Sequence, residues 1–451
     1  MPKYEATHTV TVALDGLAGI EDLEQSALEF ARTAPAALVA AGVESMIEDL
    51  VTEVCGLFGL PIADDEQIDA PWACQKCGSM RGFRRRGAQV RKRKLTSLVG
   101  TIELTSKMVA CRSCEHRFSP LGQLLGLAPR QRRTDGLAKA TAALAVEVAY
   151  AKASRLLAEV GGVSVSARTI RRDLIAAAPT RLGPPDHVTA VPVLLFDGTG
   201  ERAGPTKGGV ALHLAIGIVS RKKAGGRQRC TVELLGATLG ESRPVLFDLV
   251  ADITPKLIVV DGEEELSALC GRSVAGVPRQ RCLWHLSRAL VKLLRYTDRV
   301  KSQAVDEAAA RLELLLVNAW AERDLATARD CLDLLADNLE LDGAPAAAAH
   351  LRNARDEVFT FLTNPSAGHL VAGHKGRPDV GTGVLERVMR EMNRRSDVGV
   401  RWSIPGLRAV LLTKLEHKYH HGRWSAPQTA YTDNPPTVRI RLDPVPRPIA
   451  A

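Results

Sequence analysis

VPVLLFD, residues 191–197, opens the run of apolar segments that decides the fold. GVALHLAIGIVS (209–220) and RCTVELLGATL (229–239) follow closely, then RPVLFDLVADI (243–253), then KLIVVD (256–261). The first three read as strands, and RPVLFDLVADI reads as a helix. KLIVVD is short and continuously apolar, as a buried strand is. Three sequential strands, a helix and a further strand ending in Asp describe an α/β layer built on a mixed sheet.

Two of those strands end in an aspartate, Asp197 before Gly198–Thr199 and Asp261 before Gly262. A carboxylate at the C-terminal end of a buried strand stands at the sheet edge where open α/β folds bind ligands. Two of them on neighbouring strands repel unless a cation lies between, which points to Mg²⁺ or Mn²⁺. A single Asp–Gly after a strand is otherwise an ordinary turn; the recurrence within one α/β region is what weighs against that. A third carboxylate has two candidates in GTGVLERVMREMNRRSDVGVRW, Glu386 and, five residues on, Glu391. Arg387, Arg390, Arg394 and Arg395 surround them and suit a phosphate backbone.

Upstream, Cys74, Cys77, Cys111 and Cys114 form two CxxC pairs separated by 33 residues. Each pair places two thiolates on one tight knuckle, and two knuckles close a tetrahedral Zn²⁺ site. The intervening residues hold extended stretches around 83–93 and 100–110, suited to a hairpin. They carry RGFRRRGAQVRKRK, in which eight of fourteen residues from Arg81 to Lys94 are basic and none is acidic. From Gln303 to Thr360 the balance reverses, with twelve acids against five bases. The net charge of +9 is therefore concentrated, as a surface for a polyanion requires. Arg84, Arg85, Arg86, Arg91, Lys92, Arg93 and Lys94 are the expected phosphate contacts.

Between ribbon and sheet, AKASRLLAEVGGVSVSARTIRRDLIAAA reads as helix, turn near Gly161–Val165, and a second helix capped by Ser166. Arg168, Arg171 and Arg172 lie on that second helix, suited to a DNA groove. An ordinary helical hairpin is the competing reading. Residues 1–70 read as mainly helical, either assembling the N-terminal part or mediating dimer contacts. A proline-marked linker occupies 181–187, residues 286–365 are helical, and 384–419 is helical with an interruption near Trp402–Pro405. No basic, apolar leader opens the chain, and no apolar run approaches the ~20 residues of a membrane span, so a cytoplasmic location is expected. Nine cysteines in such a setting favour metal over disulfides.

DGTGER at Asp197, LIVVDGEEEL at Asp261, QRCLWH at 280–285, and GTGVLERVMREMNRRSDVGVRW with GRW at 422–424 resemble the DDE transposases of bacterial insertion sequences. The mutator-type branch is the nearest, with a CxxH motif between the second Asp and a helical insertion that precedes the Glu. Where many of its members carry an Asn before that Glu, this chain has Gly381–Thr382–Gly383. The resemblance spans about residues 70–424. It implies a ribonuclease H-like core and two divalent metals, Mg²⁺ or Mn²⁺, held by Asp197, Asp261 and Glu386. The implied reaction cleaves and transfers strands at terminal inverted repeats. Partners would be double-stranded DNA at element ends and target, with a homo-oligomer; a domesticated relative that binds DNA without cutting it is the alternative.

The expected architecture is multidomain α/β. It places a helical region at 1–70, a zinc ribbon at 71–120, a helix-turn-helix region with linker at 121–187, a ribonuclease H-like domain at 188–424 and a proline-rich tail at 425–451. The catalytic domain carries an all-α insertion at about 286–375. The CxxH pair, Cys282 and His285, is expected to support the carboxylates. No Cys or His pair stands close enough in sequence to make it a second zinc site, since Cys270 and His374 are isolated. Cys282 is then a small buried side chain, and His285 a partner for an acidic ligand or the DNA backbone.

Overall fold

The computed structural model describes residues 20–56, 69–203, 209–224, 227–263, 266, 268–270, 276–369, 381–397 and 402–419. The tail at 425–451, the GRW at 422–424 and His374 lie outside them. The chain divides into two compact units. One comprises Met1–Thr180, Glu201–Val210 and Arg390–Lys414, the other Arg181–Gly200, Ala211–Met389 and Leu415–Ala451.

In the first unit, α1 (Ile20–Cys55) is one helix of 36 residues with Pro35 inside it. Strands β1 (Phe83–Ser97) and β2 (Gly100–Cys111) form an antiparallel hairpin that β3 (Arg117–Phe118) extends through β2. Along β2, Ile102, Leu104 and Ser106 are buried at alternate positions, the period of a strand with one covered face. A ribbon this small cannot fill its own core. Ile47, Val51 and Val54 of α1 complete it, packing with Trp72, Phe83, Val109 and Phe118. The helix therefore assembles this unit, one of the two roles open to it from sequence.

A single turn, α2 (Leu121–Leu124), leads to α3 (Asp135–Glu147), α4 (Tyr150–Glu159) and α5 (Ala167–Ala177). Ala153 and Leu157 on α4, and Ile170 and Leu174 on α5, are buried at four-residue spacing, one face of each helix. The Ser166 hydroxyl accepts from Thr169 N at 3.2 Å and caps α5, as its position in the sequence suggests.

In the second unit, two short parallel strands, β4 (Ala190–Val191) and β8 (Thr254–Pro255), flank a five-stranded sheet. Its members are β5 (Val193–Glu201), β6 (Val210–Ala224), β7 (Arg227–Leu239), β9 (Ile258–Val260) and β10 (Arg279–Arg281), in the order β10–β9–β5–β6–β7. β6 and β7 pair antiparallel and run beyond the stretches expected from sequence. β9 is parallel to both β5 and β10. Val193 to Phe196 are all buried, as strands covered on both faces are. On one face Phe196 stacks on Phe247 of α6 (Arg243–Leu249) at 4.3 Å.

Beyond β10 come α7 (Leu283–Tyr296), α8 (Ser302–Glu322), α9 (Leu325–Leu341) and α10 (Pro345–Val358), a packed helical bundle. The single turn α11 (Thr360–Thr363) follows, then α12 (Gly383–Ser396) and α13 (Ile404–Tyr419). The interruption expected near Trp402–Pro405 separates α12 from α13, and Pro405 stands in the first turn of α13, where its missing N–H has no partner to lose. The boundary between the units falls inside α12. In the first unit, Arg395 donates to Ala145 O at 3.1 Å and Val148 O at 3.0 Å, and its guanidinium lies 4.8 Å over the Trp402 ring.

Candidate functional site

The ribbon brings its four cysteines together. Cys74 Sγ lies 3.5 Å from Cys114 Sγ, Cys77 Sγ lies 3.6 Å from Cys111 Sγ, and all four sulfurs are within 4.8 Å of one another. Zn–S bonds of about 2.3 Å in a tetrahedron give S···S edges of about 3.8 Å, so the cluster is compatible with a structural zinc. Burial pushes the Cys74 thiol up. The backbone N–H groups of Cys77 and Lys76 and the neighbouring thiols outweigh it and bring it down to about 7, toward the thiolate a metal needs.

The basic run does not act as one surface. Arg84 pairs with Glu115, Lys94 with Glu103, and Arg85 with Glu48 while donating to Thr52 Oγ1 at 2.9 Å. Arg93 donates to Ala128 O at 2.9 Å and Gln131 O at 2.8 Å, so it braces a neighbouring segment. Arg86 is half-buried, whereas Arg91 and Lys92 are exposed. The pairing partners lie on other elements, which a charge count along the chain does not reveal. Arg168, Arg171 and Arg172 are all exposed on α5, opposite its buried Ile170 and Leu174.

The carboxylates are placed by strand register. Leu194 pairs with Ile258 and Leu195 with Val259, a constant offset that, carried on, sets Asp197 level with Asp261. Arg281 pairs with Val260 across the next strand, which sets Cys282 level with Asp261. Three neighbouring parallel strands, spaced ~4.8 Å apart, thus carry a row of Asp197, Asp261 and Cys282. Asp261 and Cys282 each stand one residue past their strand, but Asp197 lies inside β5, which runs on to Glu201 rather than ending at the aspartate as expected. The flanking glycines have separate reasons. At Gly198 a Cβ would come 2.9 Å from His213 Nδ1 of β6. At Gly262, φ is +95° and a Cβ would overlap the Arg281 guanidinium, so no other residue fits without a shift.

Burial and the nearby Asp261 charge push Asp197 up to about 6, against the opposing pull of His285, the Gly198 N–H at 2.8 Å and Thr382. Burial lowers His285, but its hydrogen bond to Cys282 and the charges of Cys282, Asp197 and Asp261 outweigh that and raise it to about 9. Cys282 is fully buried, as expected, yet more than a space-filling group. Its sulfur accepts from Thr382 N at 3.4 Å and lies 3.5 Å from Thr382 Oγ1. Thr382 Oγ1 in turn lies 3.4 Å from His285 Nδ1. Gly381 belongs to the same contact, since a Cβ there would be 3.2 Å from Cys282 Sγ.

Glu386 N donates to Thr382 O at 3.0 Å, which puts Glu386 one helical turn beyond Thr382 on the same face of α12. Glu391 lies in the other unit, 3.9 Å from the buried Lys414 ammonium. Of the two candidates, Glu386 is the one in the unit with the aspartates. The three carboxylates do not form a cluster as tight as that of the cysteines among the described residues.

Sequence reasoning missed Thr382 and Gln280. The Gln280 side chain is wholly buried. It donates to Val358 O at 2.9 Å and Arg281 O at 2.7 Å and accepts from Phe361 N at 2.7 Å, fastening β10 to the end of the bundle. Its neighbours in sequence are Arg279 and Arg281, so no apolar run marked it as a buried residue. Trp284, 46% exposed, stands edge-on to His285 at 4.7 Å.

Residues 250–414, rather more than a third of the chain, match the family described as transposase, Mutator family. The matched stretch holds Asp261, Cys282, His285, Thr382 and Glu386; Asp197, the cysteine cluster and α3–α5 precede it. No curated protein matches the chain. No described helix is long and apolar enough to cross a membrane.

Proposed function

Because the chain carries the Mutator-family transposase region, we propose that it is a DNA transposase, binding the terminal inverted repeats of its element and cutting and joining strands there. The observation that carries this reading is the row of Asp197, Asp261 and Cys282 across three adjacent strands, with Thr382 joining it to the turn that bears Glu386. A mixed sheet whose first strand has a hairpin on one side and two parallel strands on the other supports a ribonuclease H-like core.

The donor set fits hard divalent cations. Asp197, Asp261 and Glu386 offer only oxygens, and the burial that pushes Asp197 up is a cost that a bound cation would offset. When bound, a pair of such ions activates a nucleophilic hydroxyl and stabilises the leaving oxygen of a phosphodiester. The residues of the chain position that chemistry. Asp197 and Asp261 are fixed by strand register, and the Glu263 N–H holds Asp261 Oδ1 at 2.9 Å. Thr382 and Cys282 tie α12 to the sheet, and His285 sets a positive charge beside the aspartates. The cysteine cluster holds one zinc and orders the ribbon, while α5 presents Arg168, Arg171 and Arg172 to a groove of the duplex.

The test is cleavage of a duplex carrying the element end in Mg²⁺. The wild-type chain should nick the end and join it to a target, and Asp261→Asn should bind the same duplex without nicking it. Binding by the wild-type chain with no cleavage under any divalent metal would instead favour the domesticated reading.

A further inference from the structure

A groove of about 800 Å³ lies between the segment 128–134 and the face of α5. Arg130, Arg132, Arg133 and Arg172 line it against only two acids, Asp135 and Asp173. Arg133 pairs with Asp173, and Arg172 approaches the same carboxylate at 3.4 Å, so Asp173 is already neutralised from both sides. Arg130 and Arg132 are exposed and make no ion pair among the described residues.

The groove is held open by bonds that cross it or brace its walls. Thr96 N donates to Arg132 O at 2.8 Å and Thr134 N to Thr96 O at 3.0 Å, which pins the segment to the end of β1. Arg93, counted in the sequence among the phosphate contacts, instead clamps the carbonyls of Ala128 and Gln131. The Arg133–Asp173 pair fastens the segment to α5. Two free guanidinium groups are thereby displayed at a fixed place beside a helix that carries three exposed arginines of its own.

We propose that this groove takes the sugar–phosphate backbone of double-stranded DNA. Arg130 and Arg132 contact phosphates that flank the bases met by α5, which adds to the proposed function and rests on it. Charge selects the occupant: an excess of guanidinium over carboxylate, with the hydroxyls of Ser164 and Thr169 in the lining, suits a polyanion. Contacts of this kind set the register of a recognition helix without reading sequence. A site whose walls are already tied together loses little freedom on binding.

The experiment measures the affinity of the full zinc-loaded chain for an element-end duplex and for an unrelated duplex, as a function of salt. Each phosphate contact contributes about 0.9 to the slope of log K against log salt, so Arg130→Ala with Arg132→Ala should lower the slope by about two units on both duplexes. Arg130→Lys with Arg132→Lys should keep most of it, and Arg168→Ala should alter the preference between the duplexes. An unchanged slope in the alanine pair, in a chain that still binds ends, overturns the groove and leaves the DNA-binding reading intact. A wild-type chain whose affinity for either duplex shows no salt dependence overturns both. If the alanine pair loses its zinc or its folded melt, the single Arg132→Gln decides in its place, by a drop of about one unit or none.

Discussion

The cysteine cluster, compatible with a structural zinc, and the carboxylates proposed to hold divalent cations are built in opposite ways. All four cysteines fall within 41 residues, in two pairs whose spacing alone sets the knuckles. Asp197 and Glu386 stand 189 positions apart and share one unit only through strand register, the hydrogen bond of Thr382 to Cys282 and a bundle of four helices between. A site written in local spacing is readable before any fold is known. A site written in register is readable only as far as the strand ends can be foreseen.

Removing a ligand should separate the two most sharply. Loss of a structural zinc forfeits a binding free energy on the order of 10 kcal/mol, so Cys111→Ser should leave no bound zinc and expose residues 70–120 to proteolysis. Cys282→Ser should retain one zinc per chain by elemental analysis. Two zincs in the wild type, with one lost in Cys282→Ser, would erase the distinction between the sites.

At the carboxylates, Asp197→Asn, Asp261→Asn and Glu386→Gln should each cut Mg²⁺-dependent cleavage by at least about 10²- to 10³-fold, the loss typical of one electrostatic partner at a reacting centre. End binding should stay nearly constant. Glu391→Gln should cleave like the wild type, since that carboxylate faces Lys414; the reverse pattern would transfer the third role to it. His285→Ala should impair cleavage more than binding.

These outcomes bear on how far the sequence could be read. The aspartate after β9, the ribbon hairpin and the Ser166 cap follow from alternation, spacing and side-chain chemistry within short windows, whereas the run of β5 on past Asp197 to Glu201 does not. The choice between Glu386 and Glu391 does not, because it depends on where α12 passes from one compact unit to the other. Nor do the duties of the basic run, since the partners of Arg85 and Arg93 come from α1 and from residues 128–131. Thr382, met in the sequence only as part of Gly381–Thr382–Gly383, shows no role there because its partners, Cys282 and His285, are about 100 residues away.

A smaller effect probes the link between bundle and sheet. Gln280→Ala leaves the Phe361 N–H and the Val358 carbonyl without their buried partner, at a cost of about 1–3 kcal/mol. Calorimetry should show a lower melting temperature for this variant; an unchanged melt would mean that water replaces the amide. Smallest of all is the exposed part of the basic run. Arg91→Ala and Lys92→Ala should each flatten the salt dependence of DNA binding by about 0.9. Arg93→Ala should weaken binding by loosening the segment it braces, visible as faster amide exchange at 128–134.

The Cys282–Thr382 contact has a consequence for the order in which the molecule assembles. It closes a loop of 100 residues, a separation that ordinarily makes a contact late and slow. Most of that loop is helices that form by local contacts, and Gln280 fastens their far end, at Val358 and Phe361, to the base of the same strand. Once that clasp is made, only about twenty residues separate Phe361 from Thr382, and the remaining search is short. The bundle thus shortens the path to the site as the chain folds, and Thr382 with Glu386 is the last part to arrive.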